Sequence, residues 1–189
     1  MTSDESTSVS TALAARIRAA IVAADGWLPF DRFMAMALYE PRLGYYACGS
    51  HPFGTLPSSG SDFVTAPELS PLFGRALAVQ VAQALQATGT RAVWEFGAGS
   101  GALAAQLLAA LDADVDYRIV DLSATLRERQ AARLAPFGER VRWLDALPDR
   151  FEGVIVGNEV LDAMPVQLLH FDGSRWFERG VAVDGDGYA

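Results

Sequence analysis

The sequence predicts an α/β protein with a doubly wound, Rossmann-like parallel sheet. Short apolar runs alternate with helix-forming segments through the second half of the chain, and a glycine-rich turn, residues 95–101 (EFGAGSG), separates one such run from an alanine- and leucine-rich segment. Parallel strands need crossover connections, and these are right-handed, so the alternation builds a sheet with helices on both faces. A helical region and a long loop precede this predicted core.

Two helices are predicted within the first 40 residues. Residues 11–24 place apolar side chains on one face, which is typical of an amphipathic helix, and Asp25-Gly26 ends it. We expect Asp31 to cap a second helix that continues to Tyr39. Pro41 stops that helix because proline has no N–H to donate to the helical ladder.

Residues 43–67 form a glycine-, serine- and proline-rich loop, which we interpret as a lid because loops of this length are usually functional or disordered. Ser70-Pro71 then predicts the start of a third helix, with proline in the first helical position. That helix continues to Gly89. Its expected buried face carries Leu72, Phe73, Leu77, Val81 and Leu85.

The remaining elements alternate as a parallel sheet requires. Apolar residues from Ala92 to Trp94 form the strand before the glycine turn, and the later segments are a helix at 102–111, a strand at 117–121, a helix at 125–134 and strands at 141–144 and 154–157. Asp172-Gly173 predicts a hairpin that joins strands at 166–171 and 176–183. We therefore expect residues 1–90 to form the N-terminal helices and lid loop, and residues 91–189 to form the sheet core and hairpin.

Composition excludes several classes of protein. The chain has 189 residues, of which 51% are hydrophobic, enough for one globular core. Its net charge of −8 argues against a nucleic-acid partner, since phosphate binding depends on clustered Lys and Arg. Arg127, Arg129 and Arg133 lie at helical spacing with Glu128 among them, and a solvated helix face explains them better than a binding patch.

The cysteine and histidine content predicts no metal site. Cys48 is the only cysteine, which rules out a disulfide within the chain and favours a reducing compartment. His51 and His170 are isolated from one another. We expect His51 to lie in a loop and His170 in a strand. The sequence shows no secretory leader and no apolar stretch of the ~20 residues that would span a bilayer. We therefore expect a cytoplasmic protein without membrane contact.

The glycine turn predicts a cofactor pocket. Glycines keep side chains off the backbone, and the free amides at the start of the next helix face whatever binds. The spacing is G-x-G-x-G, whereas the dinucleotide fingerprint is G-x-G-x-x-G and would need its third glycine at Ala102. S-adenosylmethionine (SAM) is therefore favoured over NAD, with an NAD-dependent oxidoreductase as the alternative. The predicted contacts in the turn are Glu95, Gly97, Ala98, Gly99, Ser100 and Gly101.

Polar residues at the ends of the next strands extend this site. Asp121 follows the last glycine by 20 residues, the offset at which a carboxylate accepts both ribose hydroxyls, unless it caps the next helix. Asp145 can accept from an adenine amino group, or it has a capping or turn role. We include the neighbouring residues Leu122 and Ala146 for their backbone groups. Asn158 and Glu159 follow the fourth strand beside the expected methyl position, or they begin a helix.

Besides the glycine turn, four ordered segments resemble the MidA family of SAM-dependent methyltransferases: residues 38–46 (LYEPRLGYY), 61–68 (SDFVTAPE), 126–130 (LRERQ) and 158–165 (NEVLDAMP). The family includes the mitochondrial assembly factor that acts on respiratory complex I. The resemblance implies a class I methyltransferase fold and a protein substrate methylated on arginine, with a complex I subunit as a candidate. It also implies that Asp62, Thr65 and Glu68 belong to the lid over the cofactor.

The sequence departs from the family pattern in two ways, and each departure has a consequence. Ala98, Ser100 and Ser61 replace family residues of the G-P-G-R-G turn and the glycine before Asp62, and their small size keeps the backbone accessible. Family members are also about twice as long. We therefore expect an incomplete sheet whose open edge self-associates or meets a C-terminal segment, and a chain inactive by itself. A non-catalytic binding or assembly protein is the alternative.

An arginine acceptor requires a carboxylate that orients its guanidinium, because bidentate pairing fixes the plane of the group. Methyl transfer is an in-line displacement, so holding donor and acceptor aligned supplies most of the acceleration. Glu159 is the first candidate for this catalytic role and Asp162 the second. A structural role for Asp162, in the turn before Pro165, is an equal alternative.

Overall fold

The structure is a computed structural model that describes residues 3–47, 64–121 and 123–189. In chain order its elements are α1 (Ser3–Ala23), β1 (Leu28–Pro29), α2 (Phe30–Tyr39), α3 (Ala66–Leu69), α4 (Pro71–Thr88), β2 (Ala92–Phe96), α5 (Ala102–Ala110), β3 (Asp116–Val120), α6 (Ala124–Leu134), β4 (Val141–Leu144), β5 (Val154–Val156), β6 (Leu168–Phe171), β7 (Trp176–Val181), β8 (Val183–Asp184) and β9 (Gly187–Tyr188). Short 3-10 helices cover Ala135–Arg140 and Leu161–Ala163.

The chain divides into two compact units. The terminal unit comprises residues 1–50 and 163–189, and the central unit comprises residues 51–162. The division into N-terminal helices with a lid loop (residues 1–90) and a sheet core with a hairpin (residues 91–189) stays a prediction. No helix among the described residues is long and apolar enough to cross a membrane.

The terminal unit is a small antiparallel sheet with two helices. Its strands lie in the order β1-β7-β6, with β8 and β9 paired separately. Ile17 and Ile21 of α1 pack with Leu28 and Val181 in a buried cluster, and Leu28 pairs with Val181 across the sheet. The two predicted helices and the hairpin are confirmed, with the hairpin register pairing Phe171 with Trp176.

The start of α2 differs from the prediction. Pro29 holds the N-cap position and no side chain caps the helix, because β1 leads directly into α2. Asp31 instead lies in the first turn, where its carboxylate accepts from the Arg32 N–H at 2.7 Å. A carboxylate at this place still favours the helix through its dipole. The prediction of Asp31 as the cap was wrong.

The central unit confirms the predicted doubly wound fold. Its four strands are all parallel and lie in the order β4-β3-β2-β5, so the strand order reverses beside β2. Helices α4 and α5 pack on this sheet in a core that includes Val81, Leu107 and Ile119. The predicted open edge is also present, because within the described residues β5 pairs only with β2 and Ile155 is 50% exposed.

Both ends of α4 follow the prediction, and so do Leu77, Val81 and Leu85 of its buried face. The Ser70 hydroxyl accepts from the Leu72 N–H at 3.2 Å, and Gly89 ends the helix in a left-handed conformation. Leu72 is 64% exposed and Phe73 is also exposed, so their expected burial was wrong. The face toward α5 is set by Gly74, where an added Cβ would lie 2.3 Å from Cβ of Gln106.

Candidate functional site

The glycine turn leaves β2 through three left-handed residues. Gly97, Gly99 and Gly101 have φ angles of +59°, +55° and +78°, a region that side chains disfavour. The Gly97 N–H donates to the Val120 carbonyl at 3.0 Å, which ties the turn to the end of β3. A Cβ on Gly97 would also approach Val160 to 3.2 Å. The sequence therefore needs glycine here for conformation and for packing.

A pocket opens beside this turn. Eight of its lining residues are predicted site residues, Thr65, Glu68, Glu95, Gly97, Ala98, Gly99, Ser100 and Asn158, and Pro67, Ala102 and Leu103 complete the lining. These lining residues supply two carboxylates and no basic side chain. Glu68 pairs with Arg133, so Glu95 is the lining carboxyl without a cationic partner among the described residues.

Glu95 places a buried carboxyl in the pocket wall. The side chain is on β2, its residue is 2% exposed, and the Tyr117 hydroxyl donates to Oε2 at 2.8 Å. Burial raises the pKa of Glu95 to about 7, the Tyr117 hydrogen bond opposes this rise, and the charge of Asp121 adds to it. Glu95 therefore carries both a protonated and an ionised population near neutral pH.

Asp121 lies just beyond β3 and is buried with both oxygens engaged. Oδ1 accepts from the Ser123 N–H at 2.9 Å, and Oδ2 accepts from Nε2 of Gln130 at 2.7 Å. Burial raises the pKa of this carboxyl, and these hydrogen bonds oppose the rise. Ser123, whose hydroxyl accepts from the Leu126 N–H, is the N-cap of α6, so the alternative of Asp121 as that cap is wrong. The Gly99 N–H is a third donor to this carboxylate, which keeps capacity for one further donor.

Arg127 joins the ends of β3 and β4. Its Nε donates to the Asp121 carbonyl at 2.9 Å, Nη1 donates to Asp145 at 2.5 Å, and Nη2 donates to the Leu144 carbonyl. The interpretation of Arg127 as part of a solvated helix face was therefore wrong. Asp145 is outside the pocket lining, and its side chain is 92% exposed.

Glu68 connects α3 to the glycine turn and to α6. Nη1 of Arg133 donates to Glu68 at 3.1 Å and to the Ser100 hydroxyl at 2.8 Å, and Ser100 donates to Glu68. Arg133, like Arg127, thus has a specific partner that its helical spacing did not indicate. Nε2 of Gln106 also donates to the Pro67 carbonyl at 2.7 Å, which holds α3 against α5.

The structure does not bring every predicted residue to the pocket. Glu159 and Asp162 are exposed and lie outside the lining, and Asp121, Gly101 and Ala146 lie outside it as well. Nδ2 of Asn158 donates to Glu159 at 3.2 Å, and Glu159 has a φ of +53°. The alternative that a helix starts at Asn158 is wrong, because the 3-10 helix begins at Leu161 and contains Asp162. Both alternatives for Asp162 remain open.

Part of the predicted lid lies outside the described residues. This holds for Asp62, and also for Cys48 and His51. Leu122, predicted beside the ribose, is likewise outside them. His170 is a strand residue of β6, as expected. Within the described part of the chain, no cluster of three or more His, Cys, Asp or Glu could hold a metal ion.

Sequence reasoning missed Gln130 and Tyr117. Gln130 is fully buried on α6, and its amide contacts the glycine turn and Asp121. One pattern could have indicated it: Arg127, Gln130 and Arg133 are spaced by three residues and therefore lie on one side of the helix. Tyr117 carries no such pattern, because alternation along β3 predicts burial but not the partner of its hydroxyl.

The fold and the pocket define the class of protein. A glycine turn at the carboxyl end of a parallel strand, with buried carboxylates on two neighbouring strands, is a site for a nucleoside-type cofactor. The chain belongs to the family described as "Putative S-adenosyl-L-methionine-dependent methyltransferase", whose model matches residues 76–188. The family membership predicted from the ordered segments is thereby confirmed.

Two curated relatives are similar in sequence to this chain over part of their length. The chain is 32% identical to "Protein arginine methyltransferase NDUFAF7 homolog, mitochondrial" of Caenorhabditis elegans, over 86% of this chain and 44% of the relative. It is 27% identical to the Drosophila melanogaster protein of that name, over 88% of this chain and 44% of the relative. The chain thus spans about half the length of the curated relatives it matches.

Two solved structures from Burkholderia thailandensis resemble the whole chain. One, described as a "likely methyl transferase" and bound to S-adenosyl-homocysteine, has 55% identity and a TM-score of 0.86 over 100% of this chain and 52% of its own. The other, a native structure, has 52% identity and a TM-score of 0.81 over 100% of this chain and 50% of its own. Both structural similarities therefore include the pocket and the sheet.

Proposed function

We propose that this chain forms the SAM-binding part of a methyltransferase, with the cofactor in the pocket beside the glycine turn. The observation that carries the proposal is a pocket built on left-handed glycines whose lining holds Glu68 and Glu95 and no basic side chain. SAM carries an amino acid group whose ammonium Glu95 can receive, whereas NAD has no ammonium group. The S-adenosyl-homocysteine in the Burkholderia structure supports the same assignment.

The chain's own polar residues divide between the parts of such a cofactor. Asp121 would accept from the ribose hydroxyls, and Asp145 with the backbone of Ala146 would receive the adenine. Glu95 would face the amino acid group, because its buried carboxyl lines the pocket at the end of β2. When bound, SAM supplies an electrophilic methyl group on sulfur. Thr65 and Glu68, together with Asp62, would cover the end of the cofactor that carries the methyl group.

We infer that the methyl acceptor is an arginine of a protein substrate. The names of the curated relatives support arginine, and the link to respiratory complex I rests on the resemblance to the mitochondrial assembly factor. The reaction needs alignment more than covalent chemistry. Glu159, with Asp162 as the second candidate, would hold the guanidinium in one plane and expose one nitrogen to attack. A cytoplasmic location and self-association at the β5 edge stay predictions.

A methyl-transfer assay tests the proposal, and it uses the full-length protein that contains this chain. In Glu159→Gln, SAM affinity should stay near that of the parent while turnover on an arginine-containing protein falls about 100-fold or more, because the amide cannot balance the guanidinium charge. Glu139→Gln, an exposed glutamate outside the pocket lining, is the matched control and should keep full turnover.

The outcomes separate the alternatives. Full activity in Glu159→Gln would move the orienting role to Asp162 or to another residue. SAM binding by the parent without transfer to any arginine-containing protein would favour the non-catalytic binding protein.

A further inference from the structure

The side-chain amide of Gln130 uses both of its hydrogens at the candidate site. Nε2 donates to the Gly99 carbonyl at 3.0 Å and to Oδ2 of Asp121 at 2.7 Å. Gln130 has no exposed surface and does not line the pocket. One group on α6 therefore connects the glycine turn after β2 to the carboxylate after β3.

Trp143 fixes which way this amide points. Its Nε1 donates to Oε1 of Gln130 at 2.9 Å. An indole N–H is only a donor, so it requires the amide oxygen on its side and leaves the NH₂ group facing Gly99 and Asp121. The opposite orientation would place the NH₂ group against the indole N–H and the single amide oxygen against the Gly99 carbonyl and the Asp121 carboxylate.

We propose that Gln130, oriented by Trp143, is the positioning residue that sets the Asp121 carboxylate and the Gly99 peptide for cofactor binding. This inference rests on the proposed function, since it needs Asp121 and the turn to hold the cofactor. Gln130 acts through these two groups and touches no ligand itself. Its contribution is preorganisation, because both groups are held in place before a ligand arrives.

A neutral amide suits this place because the surroundings already carry charge. The groups facing Asp121 are Glu95 of β2, whose charge opposes ionisation, and Arg127 of α6, whose charge favours it. Tyr117 of β3 donates to Glu95 on the same side. A carboxyl in place of the Gln130 amide could donate to Asp121 only while protonated, and once ionised it would repel Asp121.

Calorimetric titration with S-adenosyl-homocysteine tests the role. Gln130→Met keeps the size of the side chain but removes the three hydrogen bonds, and the Kd should rise by about 10- to 100-fold. Arg140→Met is the matched control: Arg140 donates to the Leu108 and Asp112 carbonyls at the other end of α5, outside the pocket lining. Its Kd should stay within about twofold of the parent.

The pH dependence of Gln130→Glu distinguishes positioning from general structural damage. The ratio of its Kd to the parent Kd should rise with pH as the introduced carboxyl loses its proton and the hydrogen bond to Asp121. Taking the ratio removes the titration of the ligand, and what remains is the coupled titration of the introduced carboxyl with Asp121 and Glu95. Trp143→Phe should weaken binding less than Gln130→Met, because the amide keeps its hydrogens but loses its fixed orientation.

Each outcome bears on the inference. An unchanged Kd in a folded Gln130→Met protein, or a flat ratio for Gln130→Glu across the pH range, would overturn it while leaving the proposed function intact. If Gln130→Met does not fold, the pH dependence of the Kd ratio for Gln130→Glu and the Kd of Trp143→Phe test the inference instead. A parent chain that binds no S-adenosyl-homocysteine would overturn both the inference and the proposed function.

Discussion

Glu95 is the residue at which folding and ligand binding oppose each other. Its carboxyl is buried beside Asp121, and the Tyr117 hydroxyl compensates for part of the lost water. The folded chain therefore prefers the protonated form, whereas a cationic ligand would prefer the ionised form. Such a conflict is common at functional sites, where stability is given up for a group the ligand needs.

The pKa of Glu95 predicts a pH-dependent stability. It rises from 4.5 to about 7 on folding, so between these values the folded chain binds the proton more tightly than the unfolded chain. The free energy of unfolding should then fall as pH rises from about 4.5 to about 7, by up to about 3 kcal/mol. Glu95→Gln should remove this fall.

Urea denaturation at several pH values measures the effect. The stability of Glu95→Gln minus that of the parent should grow with pH across this window and level off above it. Glu139→Gln, an exposed site, should show no such growth. A difference between Glu95→Gln and the parent that stays constant with pH would contradict the burial argument.

Local patterns predicted some site residues and could not predict others. Glu95 and Asp121 stand at fixed offsets from the glycines, so the sequence alone indicated them. Gln130 gains its role from contacts 31 and 9 residues away, with Gly99 and Asp121. Those contacts exist only once α6 packs beside the turn, so the sequence shows the residue but not its partners.

At the scale of elements, a side chain in the glycine turn should have two separable effects. It strains the backbone at positive φ, and it blocks the approach of the ligand. Gly99→Ala and Gly89→Ala both place an alanine at positive φ, +55° and +65°, and each should cost about 1 kcal/mol of stability. Gly89 ends α4 and has open space where a Cβ would lie, so its variant should bind S-adenosyl-homocysteine normally. Gly99→Ala should lose most of its affinity.

Thermal melts and calorimetry on the two variants check this prediction. Equal affinities in Gly99→Ala and Gly89→Ala would mean that the ligand does not approach the turn. A much larger loss of stability in Gly99→Ala would instead assign the glycine a purely structural role.

The elements predicted well are those with local start and stop signals. Ser70 and Gly89 fixed α4, but the sequence could not show which face α5 would cover, and Leu72 and Phe73 were misassigned. β1 has only two residues and no pattern of its own. It exists because Leu28 and Pro29 pair with β7, more than 140 residues later, and no local signal encodes such a pairing.

At the scale of the whole molecule, alternation of strands and helices was enough to predict the central sheet. The observed order β4-β3-β2-β5 reverses beside β2, and it places the ends of β2 and β3 side by side. The candidate site is a consequence of that topology, because the glycine turn and Asp121 lie side by side only when these strands are neighbours. The terminal unit could not be anticipated in this way, since it joins segments from both ends of the chain.

The central claim is that this pocket binds the SAM nucleoside through the glycine turn and Asp121, and calorimetry with S-adenosyl-homocysteine tests it most directly. The parent should bind S-adenosyl-homocysteine and not NAD. Asp121→Ala should weaken binding by about 1.5–3 kcal/mol, the scale of hydrogen bonds to a charged group. Equal affinity in a folded Asp121→Ala protein, or tighter binding of NAD than of S-adenosyl-homocysteine by the parent, would contradict the account.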